Sequence, residues 1–359
     1  MLQDISSWTC ELVLLSVIVP TRNRAHRLGD LIDTLARQDP VSFEWEVIVV
    51  DNASSDNTSA VVRQKSQAHS IQLSYIVEPR LGLHNSRHRG AQEANGEYLG
   101  FLDDDMLLAP TWLQGVQLLS QGLSDAVAGR ILPRWEVEPP KWLRALSRDG
   151  VFSHLGLLDL GSNAKSIDPF MVFGGNCFLP RSLVFDLRGF HPDSIEPELL
   201  HLRGDGETGL MRKFKEAGLE AWYDPAATAF HVISADRISS VYLCQRAYNQ
   251  GVSDSFTHIR AEFFDKGIVE VKRSPLHYLR RAREMSSAEL LRATASRFGQ
   301  IINRILPRPQ DEIRNKMDAA YLAGWRFHQE AVRKDPKLLE YVTRDTYISD
   351  DINDRELER

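Results

Sequence analysis

Cysteine is scarce in this chain: three residues in 359, Cys10, Cys177 and Cys244, far apart and never in a Cys-x-x-Cys pair. That spacing argues against a disulfide framework or a zinc site and fits a reducing, cytoplasmic compartment. Long apolar runs are missing too. The most apolar early stretch, Leu12–Pro20, is too short to cross a bilayer, and no basic segment precedes it. It reads as a buried strand rather than a signal peptide. Positive charge is not in excess: 43 Lys and Arg against 49 Asp and Glu leave a formal charge of -6, which argues against a nucleic-acid partner. Neither G-x-G-x-x-G nor G-x-x-x-x-G-K-[ST] occurs in the required context, which disfavours dinucleotide binding and P-loop chemistry. No repeat or long low-complexity linker interrupts the chain.

What is present is an alternation of two periodicities. "LLSVIVP" (14–20) is a short apolar run, and Leu28, Leu31, Ile32 and Leu35 then recur at helical spacing. "EVIVVD" (46–51) is a second strand, followed by a helix carrying Val61 and Val62 with Asp56 as its N-cap. "QLSYIV" (72–77) is a third strand. A helix over about 84–94 ends at Gly96, and "YLGFLD" (98–103) is the fourth strand. Continuous apolar strands alternating with helices predict an α/β fold, a parallel sheet covered on both faces. The second part is less regular. "RILPRWEVEPPKW" (130–142) reads as a loop and "MVFGGNCFLP" (171–180) as a strand containing a glycine pair. A helix from Glu207 places Leu210, Met211 and Phe214 on one face. "EAWYDPAATAFH" (220–231) is extended with a turn at Asp224-Pro225. Asp236 is expected to cap a helix ending near Asn249, before Gly251. Beyond about Ser255 the pattern is helical: a capping box at Ser286–Glu289 opens a stripe ending at Ile305, and a further helix covers 311–332.

The fourth strand runs straight into Asp103, Asp104 and Asp105. Adjacent like charges repel, so the triplet requires a partner. Ligands of open parallel sheets bind beyond the carboxyl ends of the strands, where Asp51 also lies. Extended geometry would aim Asp103 and Asp105 one way and Asp104 the other. Hard oxygen donors there suit Mg2+ or Mn2+ bridging a diphosphate. The plainer alternative, a cap for a helix near Thr111, needs only one of the three aspartates.

Four stretches, in order, resemble family-2 glycosyltransferases of the GT-A fold: "SVIVPTRNRAHRLGDLIDTL", "EVIVVDNASSDNT", "LGLHNSRHRGAQEANGEYLGFLDDDM" and "GDGETGLMRKFKEAGLEAWYDPAATAFH". The resemblance covers about residues 14–256. It implies a Rossmann-like, mainly parallel nucleotide-binding sheet, with a nucleotide-sugar half over about 14–108 and an acceptor half over 109–255. Residues 256–359 would form a C-terminal helical extension outside the 1–255 catalytic domain. The implied nucleotide-sugar contacts are Pro20 and Thr21 beside the base, Asp51 on the base, Asp104 on the ribose, Asp103, and Arg80 or Arg87. Asp105 would meet the metal and diphosphate, and His231 would supply a metal or phosphate contact. The family's acceptor-side Glu-Asp is here Gly204-Asp205-Gly206-Glu207. Counting back from Leu210 and Ala217-Gly218 assigns the catalytic carboxylate to Glu207; counting from Gly204 assigns it to Asp205. The usual Ala-Arg-Asn of the third helix is Ser86-Arg87-His88. The Q-x-x-R-W motif of processive synthases is absent, Gln245 and Arg246 being adjacent, so polymer synthesis is not implied.

The implied reaction is an inverting single displacement. A hydroxyl acceptor (a glycan, a lipid-linked sugar or a small molecule) attacks a nucleotide-diphosphate sugar, a UDP-sugar being favoured, with Mn2+ or Mg2+ as Lewis acid and Glu207 as general base. Two other classes stand beside it: a sugar-phosphate nucleotidyltransferase, whose glycine-rich loop "PTRNRAHR" lacks, and a non-catalytic nucleotide-sugar-binding module. Trp135, Trp142 and Phe152 are candidates for stacking on a sugar, with core packing the commoner fate. The basic, leucine-containing stretch 271–285 suits either packing and self-association as a homodimer or peripheral contact with the inner face of an anionic membrane.

Overall fold

The computed structural model describes residues 15–147, 154–264 and 309–348. The stripe ending at Ile305, the basic stretch 271–285, Phe152 and all but the start of the charged tail lie outside the described residues.

Among the described residues nine strands form one sheet: β1 (Leu15–Thr21), β2 (Trp45–Asp51), β3 (Leu73–Val77), β4 (Tyr98–Leu102), β5 (Met106–Leu108), β6 (Ala126–Trp135), β7 (Lys165–Ile167), β8 (Asn176–Pro180) and β9 (Ala221–Ile233). Their order is β3-β2-β1-β4-β8-β6-β9-β5, with β7 also on β9. The four strands read from the sequence are mutually parallel, and Thr21 at the end of β1 pairs in register with Asp51 at the end of β2. Every residue of β1 is buried, as a central strand covered on both faces requires. Helices α1 (Ala25–Leu35), α2 (Thr58–Ala68) and α3 (Leu83–Glu93) supply the cover. The predicted stripe Leu28, Leu31, Ile32 and Leu35 is fully buried in α1. The N-cap of α2 is Asn57 rather than Asp56, one residue earlier, yet the Asp56 carboxylate accepts from the Thr58 amide at 3.1 Å and from the Ala25 amide at 3.1 Å. It thereby braces two helix starts.

The second half departs from the sequence reading at several points. Residues 130–135 are not loop: they continue β6, with Pro133 paired to His231 of β9. Proline is tolerated because β8 pairs only with Val127 and Ala128, so the proline's outer edge needs no ladder donor. Lys141 and Trp142, the end of the expected loop, instead open a helix that runs Lys141–Ser147. The 171–180 strand is shorter than expected. Residues 169–171 form a helical turn, the glycine pair follows it, and only Asn176–Pro180 join the sheet. In place of the expected turn at Asp224-Pro225, β9 runs on unbroken and bulges there, shifting the β6–β9 register between Gly129 and Ile131. Asn176 seals that irregularity. Its amide donates to the Arg130 and Ala227 carbonyls at 3.1 and 2.9 Å, and its oxygen accepts from Trp112 Nε1 at 2.7 Å.

The remaining α-helices among the described residues are α4 (Gln117–Ser120), α5 (Lys141–Ser147), α6 (Arg181–Asp186), α7 (Glu207–Glu216), α8 (Ser240–Phe263), α9 (Pro309–Lys334) and α10 (Pro336–Val342). α7 buries Leu210, Met211 and Phe214 as predicted. Asp236 does not cap α8; the cap is Ser239, whose hydroxyl accepts from the Tyr242 amide at 3.1 Å. Nor does the helix stop near Asn249. It continues through Gly251 to Phe263, so position 255 falls inside one continuous helix. Gly251 serves packing rather than termination. A Cβ there would lie 2.0 Å from the Tyr321 carbonyl of α9, and one on Gly324 would lie 2.0 Å from the Tyr248 carbonyl of α8. The two helices therefore cross backbone to backbone, glycine facing chain on both sides.

Candidate active site

A cavity of about 370 Å³ opens beyond the carboxyl ends of β1 and β4. Its lining includes Pro20, Thr21, Asn52, the three aspartates and His231, together with Arg22, Arg24, Arg237 and Arg246. The turns that form its rim after β1 and β2 are strained: Asn23 and Ala53 both have left-handed backbone, φ 52° and 55°. They are cross-braced, since the Asn23 amide donates to Ser54 Oγ at 2.9 Å and Asn23 Oδ1 accepts from the Ser55 amide at 2.7 Å.

The aspartates leave the strand through a turn, so they do not alternate. Asp104 and Asp105 converge on one cation: Arg24 Nη1 donates to Asp104 Oδ1 at 2.9 Å and to Asp105 Oδ2 at 3.0 Å. Asp103 turns away to Arg87 at 3.4 Å. Thr21 Oγ1 donates to Asp104 Oδ2 at 2.8 Å, which ties the end of β1 to the triplet. Burial pushes the Asp104 carboxyl up to about 6, against the pull of Arg24. Burial also acts on Asp105, but the guanidiniums of Arg237 and Arg24 against it more than reverse it and hold that carboxyl well below the usual range. Of the two neighbouring buried carboxylates, Asp105 is thus the one held more firmly as an anion.

His231 reaches the cavity from β9. Its Nδ1 lies 2.8 Å from the Leu155 carbonyl, so Nδ1 carries the proton and Nε2 presents its lone pair. That Nε2 is 3.4 Å from Asp105 Oδ2. A carboxylate oxygen and an imidazole nitrogen aimed at one point, with the second ring nitrogen fixed by a carbonyl, is a donor set that fits Mn2+. Among the described residues no group of three or more His, Cys, Asp or Glu side chains could hold an ion unaided. The pair fits a metal that completes its shell from a bound anion.

Glu207 begins α7 behind the triplet. Its Oε2 lies 3.6 Å from Arg87 Nη1, and the same guanidinium faces Asp103. Arg87 is buried, with its guanidinium 5.2 Å from the Phe190 ring centroid, and is not a surface cation. The glycine pair explains how it fits: a Cβ on Gly174 would meet Arg87 Nη1 at 2.6 Å, and one on Gly175 would meet Asp103 Oδ2 at 2.5 Å. Burial raises the Glu207 carboxyl above its ordinary value, with Arg87 opposing and Asp193 assisting.

Other predicted residues lie elsewhere. Asp51 is buried at the end of β2, accepting from the Ser54 amide at 2.8 Å and from the Tyr75 hydroxyl. Arg80 pairs with Glu78 at 2.9 Å in the loop beside it. Asp205 has both oxygens engaged: His191 Nδ1 lies 2.6 Å from one and Thr257 Oγ1 donates to the other at 2.6 Å. Burial acts on Asp205, but His191, Thr257 and Arg212 prevail and bring its carboxyl down to about 2. Trp135 and Trp142 pack against a secondary apolar cluster. The sequence reading missed Arg24 and Arg237. The first has a usable signal, a cation three residues past a strand that ends at the crevice. The second has none, since an irregular turn separates it from His231.

The fold is of the GT-A type. Residues 16–187 match the model of glycosyl transferase family 2. Glycosyltransferase AglE of Haloferax volcanii is 32% identical over 58% of this chain and 64% of its own length. Validoxylamine A glucosyltransferase of Streptomyces hygroscopicus is 37% identical over 33% of this chain and 28% of its own. The chain thus spans less than two thirds of either relative. A mannosyltransferase of Pyrobaculum calidifontis, solved with GDP-Man and Mn2+, superposes with a TM-score of 0.51 at 20% identity, covering 92% of this chain and 85% of that one. At that identity the likeness concerns the fold. Among the described residues no helix is long and apolar enough to cross a membrane.

Proposed function

We propose that the protein transfers a sugar from a nucleotide-diphosphate sugar to an acceptor hydroxyl, with inversion, in the cavity beyond β1 and β4. The observation that carries this is the convergence of Asp105 and His231, 3.4 Å apart, beneath a cavity lined by four arginines. Four guanidiniums suit a diphosphate, and the carboxylate–imidazole pair suits the cation that would accompany it. Asp105 and His231 would hold Mn2+ or Mg2+, which supplies charge neutralisation at the leaving diphosphate. Pro20, Thr21 and Asp51 would frame the nucleoside, with Asp103 and Asp104 toward the ribose and diphosphate. Arg80 would act through the Asp51–Asn52 loop, whose Asn52 amide donates to the Arg80 carbonyl at 2.6 Å.

Glu207 is the proposed general base. An inverting displacement needs a carboxylate that accepts the acceptor hydroxyl's proton as the new bond forms. Glu207 has a raised proton affinity and keeps 28% of its side chain exposed, so it can meet an acceptor. Asp205 is disfavoured in that role, because its proton-accepting atoms are committed to His191 and Thr257. Arg87 is better read as a link between Asp103 and Glu207 than as a nucleotide contact. The catalytic unit is proposed to occupy residues 15–255, with the helices beyond bracing it through α8; self-association or membrane contact would fall to that C-terminal part.

The test is a panel of UDP- and GDP-sugars with Mn2+, scored by nucleoside diphosphate release and by the mass and anomeric configuration of the product. Release with an inverted linkage is expected. Pyrophosphate release would instead identify a nucleotidyltransferase, and binding without turnover of any donor a non-catalytic module.

A further inference from the structure

Arg237 uses the same two atoms that a metal ion would need. Its Nη1 donates to His231 Nε2 at 2.6 Å, and its Nη2 lies 3.0 Å from Asp105 Oδ2. Arg24 also touches Asp105, but its other partner is Asp104 and it does not reach His231. The Asp105–His231 pair is therefore closed by one guanidinium, which sits on the short turn Asp236–Ile238 that follows β9. Asp105 is buried and held by two cations, Arg24 on the side of Asp104 and Arg237 on the side of His231, and only the second also caps the imidazole. A dication and a guanidinium cannot share the same lone pairs, and at such separations they repel strongly.

We infer that Arg237 is an internal stand-in for the metal, closing the Asp105–His231 pair until a nucleoside diphosphate draws it away. This rests on the reading of the cavity as a metal–diphosphate site. Arg237 and Arg246 line the same cavity, so an anion bound there offers Arg237 a replacement partner without leaving the site. Its guanidinium also lies 6.0 Å from the Tyr242 ring, a second surface against which it can rest. The exchange makes metal and nucleotide binding mutually dependent. The free protein takes up the ion poorly, the diphosphate releases the ligand pair, and by linkage the ion strengthens diphosphate binding by the same factor.

The experiment is a Mn2+ titration followed by electron paramagnetic resonance, on the full chain alone and with saturating UDP or GDP. Wild type should bind Mn2+ weakly alone and more tightly with a diphosphate. Arg237→Gln should bind Mn2+ without nucleotide more tightly, on the order of tenfold, and should gain less from the diphosphate. Arg246→Gln, which removes a charge from the same cavity without touching the pair, should leave nucleotide-free Mn2+ affinity as it was. Thermal melts establish that each variant is folded. The inference is overturned if Arg237→Gln binds Mn2+ no tighter than wild type without nucleotide, including the case in which neither binds it. Equal tightening in Arg246→Gln also overturns it, because net charge alone would then explain the effect. Expected Mn2+ behaviour with no sugar donor turned over would sink the proposed reaction and leave the exchange intact.

Discussion

Asp105 and Asp205 are both buried carboxylates paired with a histidine, and they illustrate opposite uses of the same chemistry. Asp105 faces a cavity, and its partners Arg24 and Arg237 are cations on long side chains that a ligand can replace. Asp205 is held by His191 and by Thr257 of α8, groups fixed by packing, with Arg212 at 4.0 Å. The first arrangement stores charge where a substrate can use it. The second spends its charge on joining α7 to α8. A depressed proton affinity, common to both, does not distinguish a site from a brace; the replaceability of the partners does.

The largest expected effect lies at Glu207. Glu207→Gln should keep donor binding and lower turnover by about 10²–10⁴-fold, the usual range for losing a general base. Because its carboxyl is raised, wild-type activity should fall as pH drops through a value above the ordinary glutamate range, and the variant should lack that limb. If turnover survives in Glu207→Gln and is lost in a folded Asp205→Asn, the two carboxylates have been assigned the wrong way round.

Gly251→Ala tests the brace rather than the site. The added Cβ would overlap the Tyr321 carbonyl, and overpacking of this kind costs about 1–3 kcal/mol or more. Denaturant melts should show the loss while nucleotide affinity in the remaining folded protein is unchanged. A melt identical to wild type would mean that α8 and α9 do not meet at these glycines.

Asp205→Asn should cost less, and its cost should depend on pH. The carboxyl sits at about 2 when folded against an unfolded value near 4, a difference worth roughly 2 kcal/mol. A depressed carboxyl stabilises above its unfolded value and loses that contribution as pH falls through the folded one. Wild type should therefore exceed the variant in stability at pH 6, with the gap closing between about pH 4 and pH 2. A gap that does not change with pH would show that the hydrogen-bond geometry, not the charge, is what matters at Asp205.

The contrast also shows what can be read from sequence. Through Asp105 each element is local: an apolar run, an amphipathic helix and a strand end, so β1 to β4 and the aspartates fall where periodicity puts them. Later in the chain the decisive contacts are long-range. Pro133 looked like a loop residue because nothing local reveals that its outer edge is unpaired. Gly251 looked like a helix stop because its role is to admit Tyr321, seventy residues away in the chain. The aspartates were found, but their orientation was not, since it depends on Arg24 and Arg87 approaching from two other elements. Arg237 carries no local mark at all.

The most direct measurement of the central claim is calorimetry of UDP and GDP binding, with and without Mn2+, to wild type and to Asp105→Ala. The account predicts that Mn2+ strengthens wild-type binding of at least one nucleotide and that Asp105→Ala, while melting as a folded protein, loses that strengthening. Unchanged affinity and an unchanged Mn2+ response in Asp105→Ala would contradict it.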